Sequence, residues 1–440
     1  MLANESGNHG HSGEPARTAQ AAPAVPPRAP LVLLVHRIPY PPNKGDKIRS
    51  YHLLRYLAER YDVYLGAFVD DAADFAHAET LRQWCRDVFL EPLGPLRARV
   101  RMLAGLVHGR PLSVAAYRST AMRRWVRRTA QATGATRVVT FSTAMAQYAD
   151  AMPADARRVL DMVDVDSDKW RQYGERRRGP LGWIYRREAG RLLACERAAA
   201  GHQDMVTLVS GAEAELFRGL APESADRLLA VSNGVDCAYF EPSGDFADPC
   251  APGVRSIVFT GAMDYWPNVD AVTWFVDEVL PAVRSAHPDA VFHIVGIRPA
   301  PAVRALAARP GVEVVGGVPD MRPWLAHAQL IVAPLRVARG IQNKVLEGFA
   351  MARPVLATPN ALEGLDLGSD YPLCAERPAA LARLAVDTLR DGAGPIGERM
   401  RAWVLEHYDW ERRLAPMGAV IDGPRAARPA PLDRAVAQRP

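Results

Sequence analysis

The sequence predicts an α/β protein made of two doubly wound domains, each built on a parallel sheet. Its 440 residues are too many for one typical core, so two domains are expected. Apolar runs of strand length alternate with segments whose apolar residues recur at helical spacing. The alternation starts near residue 31 and again near residue 256, and this repeat favours parallel strands covered by helices on both faces.

The first series alternates short buried strands with a well-defined helix. Its predicted elements lie at residues 31–35, 48–60, 61–69, 138–140, 159–163 and 206–209. A strand, a loop, a helix and a second strand in this order form a βαβ unit. We therefore predict a first Rossmann-like domain over residues 31–205.

The second series is more regular and ends in a helix that returns to the first domain. Its strands are predicted at residues 256–261, 291–295, 312–315, 330–333 and 354–358, with helices between them. We assign residues 206–400 to a second Rossmann-like domain and residues 401–422 to a helix that packs Trp410 across the first domain. Residues 1–30 and 423–440 are rich in Ala, Pro and Gly, so we expect a disordered leader and tail.

Composition excludes several classes of protein. A net charge of +5 suits anionic small molecules or an anionic membrane surface, and no nucleic-acid-binding module is evident. No apolar run is long enough for a membrane span or for the core of a signal peptide. The five cysteines show neither a C-x-x-C pair nor metal-ligand spacing, which indicates reduced thiols in a cytoplasmic protein.

The most informative stretch is a basic loop between a strand and a helix. Strand 330–333 ends at Pro334, and the loop that follows carries Arg336, Arg339 and Gly340. A helix begins near Lys344, and free backbone N–H groups at a helix start suit a phosphate.

Glu347 lies one turn into this helix, where its carboxylate can accept hydrogen bonds from two ribose hydroxyls. The stretch therefore predicts a nucleotide-sugar site. An ordinary amphipathic helix without a ligand is the alternative interpretation.

Three other features admit two interpretations each. The four acidic residues after a predicted strand fit either a metal site or a helix start with Asp caps, and they are Asp161, Asp164, Asp166 and Asp168. His36 follows the first strand, where it is either a ligand contact or a packed side chain. Residues 170–191 interleave arginines with aromatic residues, which fits either an anionic membrane surface or a solvated helix.

Four segments in a fixed order carry a family resemblance, and they lie at residues 41–50, 161–170, 232–242 and 336–347. Together they resemble the retaining glycosyltransferases of family 4, which have the GT-B fold of two Rossmann-like domains facing across a cleft. Within that family, the chain is similar to sugar transferases associated with exosortase/PEP-CTERM exopolysaccharide systems. The resemblance covers residues 31–414.

The resemblance implies that a sugar moves from a nucleoside-diphosphate donor with retention of configuration, without a bound metal or other cofactor. In matching positions, Lys344 faces the diphosphate, Glu347 binds the ribose, and Gly340 and Ile341 lie near the transferred sugar. Gly45 matches the glycine of the first loop, where the backbone approaches the donor phosphate or the acceptor.

The resemblance also places Asp164 near the cleft, as a contact to the acceptor. It further implies a lipid-linked saccharide acceptor and a cytoplasmic enzyme that is peripheral at the inner face of the membrane. A nucleotide-sugar epimerase of the same fold and a non-catalytic nucleotide-sugar-binding scaffold remain alternatives.

The sequence departs from the family pattern at the expected phosphate contacts. Many relatives carry a second glutamate eight positions before the one matched by Glu347, where this chain has Arg339. Loop 261–268 also lacks the Arg and Lys that relatives place there. We therefore expect Lys344, Arg339 and Arg336 to stabilise the leaving diphosphate. No carboxylate stands out as a nucleophile, which favours attack on the same face of the sugar, with the leaving phosphate accepting the proton.

Overall fold

The computed structural model describes residues 28–42, 45–177, 179–338, 341–365, 367, 371–392 and 394–423. Most of the predicted leader and tail lies outside these residues. The first strand begins at Pro30, the last residue assigned to that leader.

The first domain contains a seven-stranded sheet in which every pair of neighbours is parallel, in the order β3-β2-β1-β4-β5-β6-β7. Its first strand in the sequence, an inner strand of the sheet, is wholly buried from Leu31 to Val35, because helices cover both faces of the sheet. The strands are β1 (Pro30–Val35), β2 (Asp62–Val69), β3 (Asp87–Pro92), β4 (Arg137–Phe141), β5 (Arg157–Val163), β6 (Met205–Leu208) and β7 (Leu228–Ala230).

Capping residues set the ends of some helices of the first domain. The best-defined example begins after Ser119, whose hydroxyl accepts hydrogen bonds from two backbone N–H groups, and ends at Gly134 in a left-handed conformation. The helices are α1 (Gly45–Ala58), α2 (Ala78–Arg82), α3 (Pro95–Val107), α4 (Leu112–Ala116), α5 (Thr120–Thr133), α6 (Thr143–Ala146), α7 (Asp166–Arg176), α8 (Gly179–Gly201) and α9 (Gly211–Leu220).

The predicted boundary between residues 205 and 206 is wrong, because it falls inside the first sheet. Strand β6 pairs with β5, and β7 pairs with β6. The first domain therefore extends at least to Ala230. The sequence around residue 205 contains a short buried strand and no linker signal, so only the pairing of strands shows to which sheet it belongs.

The second domain contains a five-stranded sheet, again parallel throughout, in the order β10-β9-β8-β11-β12. Its strands are β8 (Arg255–Thr260), β9 (Ala290–Val295), β10 (Val312–Gly316), β11 (Leu330–Ala333) and β12 (Val355–Ala357). Its helices are α10 (Trp266–Trp274), α11 (Leu280–Ala286), α12 (Pro301–Ala305), α13 (Arg322–Ala326), α14 (Asn343–Ala350), α15 (Pro378–Asp391) and α16 (Ile396–His407). A π-helical turn, Phe275–Val279, joins α10 to α11.

The C-terminal segment is two helices where one was predicted over residues 401–422. Helix α16 packs on α14 in the second domain, whereas α17 (Trp410–Asp422) packs on α1 in the first. The break lies at Tyr408 and Asp409, and the Asp409 side chain caps α17. Only α17 crosses back, and Trp410 stacks on His52 with 4.7 Å between ring centroids.

Both sheets reverse their strand order at one point. This occurs between β1 and β4 in the first sheet and between β8 and β11 in the second. Ligands of open α/β sheets bind outside the carboxyl ends of the strands at such a point. In the described part of the chain, no helix is both long and apolar enough to cross a lipid bilayer.

Candidate functional site

The candidate site lies at the carboxyl ends of β8 and β11, where the second sheet reverses its order. Helix α10 starts shortly after β8, and α14 starts after the loop that follows β11. The first backbone N–H groups of a helix have no partner within the helix, so the start of α14 favours an anion. The start of α10 contributes less, because Pro267 has no N–H group and the N–H of Asn268 donates to the Tyr265 carbonyl.

Lys344 lies at the centre of this site. Its ammonium group donates to the Asn268 side-chain oxygen at 3.0 Å and lies 5.0 Å from the centre of the Phe259 ring. Phe259 comes from β8, Asn268 from α10 and Lys344 from α14, so three elements converge on one cation. The amide and the ring orient this cation without neutralising it, and Glu347 supplies the opposite charge that acts on it.

Asn268 was not predicted as a site residue. Its side chain is 5% exposed, and its amide group donates to the Ala262 carbonyl at 2.9 Å, which orients its oxygen towards Lys344. A side chain at Gly261 would place its Cβ 2.7 Å from the Asn268 amide nitrogen, and Gly261 has φ of 152°. The only signal in the sequence was a glycine directly after a strand, followed seven residues later by an asparagine at a helix start.

Lys344 and Glu347 share one partly buried environment at the start of α14. Burial lowers the pKa of Lys344 to about 8, against the opposing effect of the Glu347 charge. Burial likewise raises the pKa of Glu347 to about 7, against the charge of Lys344. Buried ionisable groups with strongly shifted pKa values are typical of functional sites.

The structure describes some of the predicted phosphate contacts in the loop before α14 but not others. Arg336 forms a two-point ion pair with Asp270 of α10, one contact measuring 3.0 Å, and its guanidinium lies 5.5 Å from the centre of the Trp274 ring. A phosphate would therefore compete with Asp270 for Arg336. Arg339 and Gly340 lie outside the described residues. Ile341 is partly buried against the core of the second domain.

A basic residue that was not predicted, Arg298, also lies at the carboxyl ends of the strands of the second sheet. Arg298 follows β9, has φ of 52°, and pairs with Asp264 at 2.6 Å in the loop after β8. The sequence departs from its relatives by lacking Arg and Lys in that loop, and Arg298 brings a cation to it from the next strand. No pattern in the sequence predicted Arg298 as a site residue, because its approach to Asp264 depends on the pairing of β8 with β9.

The first domain presents Gly45 as the first residue of α1. A Cβ built on Gly45 would meet no atom within 4 Å, so this position opens onto free space. Neighbouring Lys47 is 2% exposed and pairs with Asp74 at 2.6 Å, while Arg49 is 1% exposed and forms a two-point pair with Asp161 at 2.8 and 2.9 Å.

His36 lies at the reversal point of the first sheet. Its ring stacks on Phe141 of β4, with 5.6 Å between centroids, and its Nε2 atom lies 3.4 Å from the Asp46 carboxylate. Burial raises the pKa of Asp46, but the contact with His36 and the charge of Arg37 outweigh it and hold the pKa at about 2. Packing therefore accounts for the position of His36.

The four acidic residues of the predicted cluster all have basic partners, and two of them share one lysine. Asp161 lies in β5 with Arg49, Asp164 and Asp166 bind Lys169 at 2.7 and 3.1 Å, and Asp168 binds Arg171 at 2.7 Å. The role of Asp164 at the acceptor stays a prediction. Among the described residues, no group of three His, Cys, Asp or Glu side chains is placed to hold a metal ion.

Residues 170–191 are divided between α7 and α8, and several of their arginines have internal partners. Arg171 pairs with Asp168 and Glu175, and Arg186 donates to the Gly174 carbonyl at 3.0 Å. Their contribution to a membrane-binding surface is therefore smaller than the sequence implied. The exposed aromatic side chains are Tyr173 and Trp183.

Comparison with known proteins supports a glycosyltransferase domain in the second half of the chain. Residues 254–391, which include the second sheet, match the family described as glycosyl transferases group 1. No curated protein matches the chain significantly. Membership of family 4 and of the exosortase-associated group stays a prediction.

Solved structures with the same architecture confirm the predicted GT-B fold. HepE of Anabaena, in complex with UDP, is 14% identical, with a TM-score of 0.59 over 88% of this chain and 99% of that protein. Sucrose-phosphate synthase of Thermosynechococcus elongatus is 17% identical, with a TM-score of 0.61 over 89% and 98%. WaaG, a glycosyltransferase involved in lipopolysaccharide biosynthesis, is 14% identical, with a TM-score of 0.57 over 90% and 100%.

Proposed function

We propose that this chain is a retaining, metal-independent glycosyltransferase that moves a sugar from a nucleoside-diphosphate donor to an acceptor in exopolysaccharide biosynthesis. The observation that carries the proposal is Lys344, oriented by Asn268 at 3.0 Å at the point where the second sheet reverses its order. The glycosyltransferase domain over residues 254–391 and the GT-B fold support the same activity.

The chemistry follows from the change in charge during the reaction. Breaking the bond between the sugar and the diphosphate increases the negative charge on the leaving group, and a cation already in place stabilises that charge. Lys344 is in this position, with Arg339 and Arg336 as the further predicted contacts. Nearby carboxylates are engaged, Asp264 by Arg298 and Asp270 by Arg336, which favours attack on the same face without a glycosyl-enzyme.

Donor binding is the first property to test. A ligand at 100 times its Kd adds about 2.7 kcal/mol to the free energy of unfolding, so thermal shift detects the correct donor. HepE was solved with UDP and with UDP-glucose, which makes uridine-diphosphate sugars the first set to screen. A full panel of nucleotide sugars without any shift would contradict the proposal.

Incubation with the identified donor, first alone and then with acceptors, separates the alternatives. A transferase leaves the sugar configuration unchanged, an epimerase converts the donor, and a scaffold binds it without turnover when acceptors are added. We expect activity to persist in excess EDTA, because basic residues hold the diphosphate. Loss on chelation that Mn²⁺ restores would contradict metal independence.

The acceptor that we propose is a lipid-linked saccharide, which places the protein in the cytoplasm, peripheral at the inner face of the membrane. The arginines of residues 170–191 support binding to an anionic membrane surface, although Arg171 and Arg186 have internal partners. Replacing Arg176, Arg177 and Arg178, of which Arg178 lies outside the described residues, with Ser should weaken binding to anionic vesicles. Unchanged binding would assign that segment to a solvated helix.

A further inference from the structure

The turn between β8 and α10 exposes two adjacent aromatic side chains. Tyr265 is 61% exposed and Trp266 is 53% exposed. Seven of the nine tryptophans of the chain pack against another ring or beneath a cation, whereas Trp183 and Trp266 have no such contact among the described residues. Burial of a large aromatic side chain is favourable, so two of them left in water at the edge of a site indicate a surface that a ligand covers.

The backbone of this turn is fixed by local contacts. The Tyr265 carbonyl accepts hydrogen bonds from the N–H groups of Asn268 at 3.0 Å and Val269 at 3.2 Å. Pro267 follows Trp266 directly and is buried in the first turn of α10. Proline restricts the backbone, and the two hydrogen bonds close the turn. The fold therefore presents both rings to solvent in a defined place.

Helix α10 places Trp266 at the edge of the candidate donor site. Trp266, Asp270 and Trp274 are four residues apart, so they share one face of the helix. Asp270 pairs with Arg336 of the basic loop, and the Trp274 ring lies 5.5 Å from the same guanidinium group. Asn268, two residues after Trp266, holds the ammonium group at the centre of the site. Trp266 therefore lies one turn beyond Asp270, at the outer end of the helix face that borders the basic loop.

Polar groups that suit hydroxyls lie beside the two rings. Asp264, directly before Tyr265, pairs with Arg298 at 2.6 and 3.2 Å, and both side chains are exposed. The pair uses Nε and Nη2 of the guanidinium group, and its Nη1 atom has no partner among the described residues. A pyranose has a face of C–H groups that packs on an aromatic ring and a rim of hydroxyls that bind carboxylate and guanidinium groups. This combination favours a saccharide over a wholly apolar ligand.

We propose that Trp266 and Tyr265 form a stacking platform for a saccharide ring of the acceptor. The proposal rests on the proposed transfer of a sugar from a nucleoside-diphosphate donor. The Lys344 ammonium group and the buried Asn268 amide lie at the inner end of the site, where the diphosphate is expected. The two exposed rings lie farther out, where an acceptor reaches the sugar that leaves the diphosphate. Stacking of the donor nucleobase on the same rings is the competing assignment.

The test measures saccharide binding by saturation-transfer NMR on the purified full-length protein. The probes are maltose, cellobiose, lactose and diacetylchitobiose, each with and without the nucleoside diphosphate that thermal shift selects. Trp266→Ala removes the ring, Trp266→Leu keeps apolar volume without an aromatic face, and Trp266→Phe keeps a smaller aromatic face. Trp183→Ala, at a tryptophan of α8 that is 57% exposed, is the matched control. Thermal melting confirms that each variant is folded.

We expect the wild-type protein and Trp183→Ala to give signals from ring C–H protons of at least one disaccharide. Trp266→Ala and Trp266→Leu should lower the affinity for that disaccharide about tenfold, because the aromatic face is lost. Trp266→Phe should keep most of the affinity. The Kd of the nucleoside diphosphate in calorimetry should be the same in all four variants, because Trp266 lies outside the predicted diphosphate and ribose contacts.

Three results would overturn the platform. The first is a wild-type protein that gives no saccharide signal, and the second is equal saccharide affinity in Trp266→Ala and Trp183→Ala. The third is a rise in the nucleotide Kd of Trp266→Ala as large as its loss of saccharide affinity, which would assign the ring to the nucleobase. A wild-type protein that binds no nucleotide would contradict the proposed function, and the signals measured without nucleotide would still decide whether Trp266 binds a saccharide.

Discussion

Both sheets reverse their strand order at one point, but Lys47 and Arg49 in the first domain and Lys344 in the second have different kinds of partner there. In the first domain, Lys47 and Arg49 are buried, and each has a carboxylate partner within 3 Å, Asp74 for Lys47 and Asp161 for Arg49. In the second domain, the ammonium group of Lys344 is held by the neutral Asn268 side chain.

This difference separates charges that stabilise the fold from charges that serve a ligand. A buried ion pair has already satisfied both of its charges, so it offers little to a phosphate. Lys344 is held by an amide and its pKa is lowered to about 8 despite the Glu347 charge, so the approach of an anion raises that pKa. The same topology therefore supports a lysine paired with a carboxylate in the first domain and a lysine held by a neutral amide in the second.

The largest effect is expected on the stability of the first domain, at the buried pair of Arg49 with Asp161. Arg49→Met leaves the Asp161 carboxylate, which is 0% exposed, with Thr207 as its remaining side-chain donor. We expect the free energy of unfolding to fall by about 3–5 kcal/mol in urea titrations. The double variant Arg49→Met with Asp161→Leu should recover much of this loss, because no buried charge remains. A fall below about 1 kcal/mol for Arg49→Met would show that the pair is not structural.

The second effect concerns catalysis at Lys344 in the second domain. Lys344→Met should lower kcat by about 100- to 1,000-fold, because Lys344 stabilises charge that develops as the glycosidic bond breaks. KM should change less than kcat. Lys344→Arg, which keeps the charge and changes its shape, is the control. If Lys344→Met raised only KM, the lysine would bind the donor without stabilising the leaving group.

The third effect concerns donor affinity. Glu347→Gln keeps the size of the side chain but removes one acceptor oxygen and the charge. One charge-assisted hydrogen bond contributes about 1.5–3 kcal/mol, so donor Kd in calorimetry should rise about 10- to 150-fold. Glu363→Gln, at an exposed glutamate of the same domain, is the matched control. Equal donor affinity in both variants would exclude Glu347 from the ribose site.

The smallest effect is a pH dependence of the wild-type enzyme. Glu347 must be ionised to accept two hydroxyl hydrogen bonds, so kcat/KM should rise with pH through about 7. Lys344 must be protonated, so kcat/KM should fall as pH rises through about 8. In the kcat profile, the bound diphosphate raises the pKa of Lys344 and moves the alkaline limb upwards. A flat profile of kcat/KM between pH 6 and 9 would show that this pair does not control activity.

Residue order alone predicted the architecture, because buried parallel strands are continuous apolar runs and their helices keep a 3.6-residue period. The predicted strands of both sheets lie close to their positions in the structure, including the strand that ends at Ala333 before the basic loop, whereas β3 and β7 of the first sheet were not predicted. The position of Lys344 and Glu347 one turn apart at a helix start also followed from spacing, since helix geometry is local. Their roles in donor binding stay predictions.

Tertiary structure decided everything that depends on contacts between distant residues. It assigned residues 205–208 to the first sheet, divided the C-terminal segment at Tyr408, and brought Asn268 to Lys344 across 76 positions of sequence. It also showed which arginines are compensated, since an ion pair such as Arg49 with Asp161 spans 112 positions. Spacing in a sequence constrains neighbours along one helix or strand, whereas charge compensation and strand pairing depend on how the chain folds back on itself.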